Sequence, residues 1–97
     1  MLTHIVVWKY KPEVSDEQRH EHREMLRRLP DVVPGIQSFA VGADVLGLPR
    51  SYHTGLVAVF RDRAGLEAYD AHTEHQAVAR HGRTISEHVA SVDFEDD

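Results

Sequence analysis

The chain has 97 residues, 41% of them hydrophobic and 28% charged, a composition expected of one soluble globular domain that buries roughly two thirds of its unfolded surface. A net charge of -5 with no cysteine argues against a nucleic-acid partner, rules out disulfides and thiolate metal sites, and makes a reducing cytoplasm the simplest home. No apolar run approaches the roughly 20 residues of a membrane span, so no membrane partner is expected either.

Thr3–Tyr10 alternates with period two, placing His4, Val6 and Trp8 on one face and Ile5 and Val7 on the other. Both sets are largely apolar, so this strand is covered on both sides. The segment lacks a basic flank and a small-residue cleavage site and reads as a strand, not a signal peptide. Ser15 with Gln18 has the spacing of a capping box and opens a helix over Asp16–Leu29, whose thin apolar stripe includes His22, Met25, Leu26 and Leu29. Pro30 stops it and Pro34-Gly35 turns the chain. A second strand, Ile36–Ala43, sets Phe39 and Val41 on one side against Ile36, Ser38 and Ala40 on the other.

After a loop at residues 46–51 comes a third strand, Tyr52–Phe60, again apolar on both faces: Leu56, Ala58 and Phe60 against Val57 and Val59. Asp62 caps a helix over Arg63–Ala71, where Gly65 costs up to ~1 kcal/mol. Thr73 and Gln76 repeat the capping-box spacing and predict a helix from Glu74 to about Ser86. His88–Phe94 forms the last strand, and Glu95-Asp96-Asp97 is an acidic tail.

The order strand, helix, strand, strand, two-part helix, strand predicts one domain over residues 1–97. Its expected form is a ferredoxin-like α+β fold, an antiparallel sheet with helices on one face and the first and last strands in its middle. The uncovered face would carry Ile5, Val7 and their neighbours, an apolar patch too large for a monomer, and this predicts a homodimer packed sheet to sheet.

Residues Leu66–His81 hold the side chains most able to do chemistry: Tyr69, His72 and His75, with His75 in the first turn of its helix. The helix dipole there disfavours the imidazolium, which suits His75 to act as a base. If the His4, Val6 and Trp8 face looks toward the helices, it lines an apolar pocket together with His22, Leu26 and His72. His72 has a second reading, as a ring that caps the next helix. His20, His53, His81 and His88 read as surface residues. The trio His4, His72 and His75 has no i, i+4 pair and no completing carboxylate, so no metal site is expected.

Five segments, His4-Ile-Val-Val-Trp-Lys-Tyr-Lys-Pro, Pro34-Gly-Ile-Gln-Ser-Phe, Val41-Gly-Ala-Asp-Val, Tyr69-Asp-Ala-His-Thr-Glu-His-Gln-Ala-Val and Val92-Asp-Phe, together resemble the stress-responsive dimeric α/β-barrel (Dabb) family over nearly the whole chain. The resemblance implies a homodimer whose two sheets form a shared barrel. One characterised member is a cofactor-free plant polyketide cyclase using a Tyr, a His and a further His on the first strand. Those positions fall on Tyr69, His75 and His4, which implies His75 as base and Tyr69 as the donor that holds the developing oxyanion. Where that cyclase has bulky aromatics on the first helix, this chain has His22 and Arg23, so the same substrate is not expected. Two functions follow: a cofactor-independent cyclase- or lyase-type enzyme acting on a carbonyl substrate, or a non-catalytic stress-associated dimer that binds a small apolar ligand or is purely structural.

Overall fold

In the computed structural model, residues 1–96 are described, in the order β1 (Leu2–Tyr10), α1 (Asp16–Arg27), α2 (Leu29–Val32), β2 (Ile36–Ala43), β3 (Thr54–Phe60), α3 (Arg63–Ala71), α4 (Thr73–Ile85) and β4 (Ser86–Glu95). The local signals act largely as their chemistry demands. The Ser15 hydroxyl accepts the Gln18 amide at 3.1 Å while the Gln18 side chain accepts the Ser15 amide at 2.8 Å, closing a reciprocal cap on α1. Asp62 Oδ1 accepts the Gly65 amide at 2.9 Å and starts α3. Gly35, at φ +91°, supplies the left-handed turn after Pro34 that feeds β2.

Four expectations need correction. The first helix ends at Arg27; Pro30 sits in the first turn of the separate α2, where its missing amide hydrogen is no loss. Thr73 is not the cap of α4, because the His72 ring does that work: its Nδ1 accepts the Glu74 amide at 3.1 Å. Ile36 faces the core with Phe39 and Val41, since the pairing with β3 jumps between Ile36 and Ser38 and turns the strand end inward. The sheet order is β2-β3-β1-β4, so the last strand lies at an edge and β1 and β3 hold the middle. Of the acidic tail, Glu95 ends β4 and Asp97 lies outside the described residues.

The result is a four-stranded antiparallel ferredoxin-like sheet with all helices on one face. Beneath them β1 contributes Leu2, Trp8 and Tyr10, β3 contributes Leu56, Ala58 and Phe60, and the helices close the core with Leu26, Leu29 and Tyr69. Each of the leucines and Phe60 contributes roughly 1.5–3 kcal/mol by leaving water. Gly82 lets α4 approach closely: a Cβ there would stand 2.9 Å from both His22 Nε2 and Trp8 Nε1.

On the opposite face Ile5 sits between Val57 and Val92 in register. Val57, Val92 and Phe94 are 41%, 54% and 41% exposed, so the apolar patch read from the sequence is present and uncovered in the single chain. No helix among the described residues is long and apolar enough to cross a membrane.

Candidate functional site

Strand β1 places His4, Val6 and Trp8 under the helices, and the α3–α4 junction swings Tyr69 and His75 over them. The turn is sharp because His72 ends one helix and starts the next, its amide donating to Tyr69 O at 3.1 Å and its ring accepting from Glu74. Between the two layers lies a cavity of about 340 Å³ lined by His4, Val6, Trp8, Leu26, Leu56, Tyr69, Asp70, His75, Ala79, Arg83, Val89 and Ser91. A groove of about 610 Å³ adjoins it, sharing His4, Asp70 and Ser91.

The aromatic groups form one wall. The Tyr69 and His75 rings are 4.2 Å apart between centroids, and His4 stands 6.1 Å from Tyr69. The Nδ1 of His75 lies 3.3 Å from the Asp70 backbone carbonyl. A carbonyl only accepts, so Nδ1 carries the hydrogen and Nε2 keeps the lone pair. Burial holds the His75 pKa below the usual imidazole range, partly offset by that Asp70 carbonyl, so the ring is neutral at pH 7. Burial, reinforced by the neighbouring Asp70 charge, pushes the Tyr69 phenol well above its ordinary value. Its hydroxyl is therefore a donor and not a base. His4 donates from Nδ1 to the Asp93 carboxylate across the β1–β4 pair, which fixes the ring and leaves Nε2 as its second face.

Two expected lining residues stand elsewhere. His72 is spent on the helix cap. His22 is fully buried between Trp8 and Tyr10 and is roofed by α4 at Gly82. The Tyr10 hydroxyl donates to Thr54 Oγ1 at 2.8 Å and so accepts from His22 Nδ1 at 2.7 Å. His22 Nε2 is left buried and unpartnered, and burial lowers its pKa to about 4, aided by His81 and Arg23. His53, expected at the surface, is half-buried: it stacks on Tyr10 and accepts the Tyr10 amide at 3.0 Å.

The sequence reading missed Asp93, Asp70, Ser91 and Arg83. Asp93 had one signal, a carboxylate set between Val92 and Phe94. Arg83 had another, its spacing of eight from His75 on one helix face. No three of the described His, Asp and Glu side chains converge as a metal-binding group.

The family model of the stress responsive A/B barrel domain matches residues 2–96. No curated protein matches the sequence. Solved structures do. A dimeric ferredoxin-like protein of unknown function from Jannaschia sp. CCS1 is 26% identical with a TM-score of 0.82, covering 98% of each chain. A second dimeric ferredoxin-like protein of unknown function, from Thermobifida fusca YX, is 24% identical with a TM-score of 0.88, covering 98% of this chain and 90% of that one. The hydroxynitrile lyase of Passiflora edulis has a TM-score of 0.89 at 15% identity, covering 99% of this chain and 93% of its own; at that identity the likeness is one of fold.

Proposed function

The chain belongs to the stress-responsive A/B barrel family, and from that premise we propose that it works as a homodimer. Its cavity takes a small carbonyl compound and moves a proton beside the carbonyl without a cofactor, as a cyclase or lyase does. The observation that carries this reading is the contact of a neutral His75 and a protonated Tyr69 on one wall of a cavity whose floor is built from Val6, Trp8, Leu26 and Leu56. His75 Nε2 takes the proton from the carbon next to the carbonyl and becomes imidazolium. The carbonyl oxygen becomes an enolate oxygen and accepts a hydrogen bond from the Tyr69 hydroxyl. His4, held by Asp93, offers Nε2 to the same space. The dimer is supported by the exposed apolar sheet face and by the dimeric state of the Jannaschia and Thermobifida proteins.

The test needs no known substrate. Deuterium uptake at the carbon beside the carbonyl is followed by NMR in D2O for acetylacetone, phenylacetone and methyl acetoacetate. Exchange above the buffer rate is expected for at least one compound, with a loss of roughly 100-fold in His75→Ala. Uniform buffer rates, or an unimpaired His75→Ala, refute catalysis and leave a ligand-binding dimer.

A further inference from the structure

One face of α4 supplies His75, Ala79 and Arg83 to the cavity at i, i+4 and i+8, a rise of about 6 Å per step. Helical side chains lean toward the helix N-terminus, which tilts Arg83 back across the small Ala79 toward His75. Val6, Trp8, Leu26 and Leu56 form the apolar part of the surrounding wall, and Ser91 and the His4, Tyr69 and His75 groups form its polar part. Among the described residues no carboxylate lies within 4.0 Å of the Arg83 guanidinium; the arginine–carboxylate pairs are Arg27–Glu24 and Arg63–Glu67, and the other carboxylate contacts are made by the imidazoles of His4, His20 and His75. Asp70, the carboxylate of the lining, stands by His75 at 3.9 Å with a side chain 76% exposed. The cavity thus presents a forked donor of fixed charge with no protein acceptor beside it, and a guanidinium fork matches a carboxylate in shape and sign.

We propose that Arg83 selects an anionic ligand: a small keto acid with its carboxylate on Arg83, its apolar body against Trp8, and its carbonyl at His75 and Tyr69. This assignment rests on the reading of the cavity as the ligand site. A purely structural Arg83, complementing the C-terminal dipole of α4, makes no distinction between an acid and its amide.

Trp8 is the single tryptophan and a cavity wall, so its fluorescence reports occupancy. Phenylacetate and its neutral isostere phenylacetamide are titrated at pH 7 into the wild type, Arg83→Gln and Arg83→Lys; Arg83 is exposed, and such surface changes leave folding intact. Phenylacetate is expected to bind about tenfold tighter than the amide, or better, in the wild type. Arg83→Gln erases that preference by weakening phenylacetate alone, and Arg83→Lys retains part of it. Equal binding in the wild type, or a preference that survives Arg83→Gln, overturns the assignment while the cavity reading stands. No Trp8 response to either compound overturns both. A His75→Ala protein that loses deuterium exchange yet keeps the phenylacetate preference separates ligand selection from catalysis.

Discussion

Replacing Gly82 by alanine sets two effects of opposite sign against each other. In a helix interior the change stabilises by roughly 1 kcal/mol, because glycine loses more backbone entropy. At this position, however, the new methyl stands 2.9 Å from His22 Nε2 and from Trp8 Nε1, well inside van der Waals contact. Neither ring can yield cheaply. His22 is fully buried and tied to Tyr10, and Trp8 is 6% exposed within the core. Forcing a methyl into such packing costs roughly 1–3 kcal/mol, so the net expectation is a loss of about 1 kcal/mol. For a domain of this size that lowers Tm by about 4–8 °C. Gly65→Ala is the control: its nearest neighbour is Phe60 Cβ at 3.5 Å, an ordinary contact, so the entropic gain stands alone and Tm rises. Thermal melts followed by circular dichroism, with urea midpoints alongside, measure both. A Gly82→Ala protein that melts at or above the wild type refutes the close approach of α4 to β1.

Light scattering on a sizing column at micromolar concentration is expected to give about twice the 11.0 kDa chain mass, and Val57→Asp on the open face to halve it; a monomeric wild type sinks the dimer. His22 makes stability depend on acid. Its folded pKa of about 4 lies below the unfolded value near 6.5, so its contribution is complete above pH 6.5 and drains as pH falls toward 4. Between pH 7.5 and pH 5 that amounts to about 2 kcal/mol; urea midpoints of His22→Gln should show a correspondingly shallower slope, and identical slopes disprove the burial argument. His72→Ala is expected to cost about 0.5–1 kcal/mol through the lost cap, whereas Thr73→Ala should be nearly silent in the same measurement. The reverse ranking restores Thr73 as the cap.

Much of the fold was legible because period-two runs and caps are local signals. Ser15 with Gln18, Asp62 before α3, and the alternation of β1 and β3 each state their role within a few residues. What failed depended on partners distant in sequence. Ile36 turns inward only because the strand end meets Phe60 through an irregular pairing. Thr73 lost the cap to His72, whose ring nitrogen takes the Glu74 amide and not the Gln76 amide that a capping box would use, so the capping role of His72 prevails over the spacing of Thr73 and Gln76. His22 was expected in the cavity lining, but a glycine 60 residues later lets α4 descend and seal it. Asp93 meets His4 across 89 positions, through a register that no window of sequence displays. The local half of the site, Tyr69 and His75, was accessible for the opposite reason: six residues around one helix junction bring them together.

The open face and the cavity share one backbone. Successive side chains of β1 alternate, so Ile5 and Val7 point away from the helices while His4, Val6 and Trp8 point into the cavity wall. β4 repeats this, with Val92 and Phe94 outward and Ser91 and Asp93 inward. A slip of one residue between these strands would exchange the two sets at once: it would expose Asp93 to the apolar face and remove it from His4. The hydrophobic demand of the open face therefore enforces the pairing of His4 with Asp93 on the other face. That demand weighs most on β4, an edge strand bonded on one side only, where every residue after Ser86 is exposed in the single chain. Covering Val92 and Phe94 with a second sheet would stabilise the strand that holds Asp93. In this fold the open apolar face and the His4–Asp93 contact of the candidate site are thus two readings of one alternating pattern.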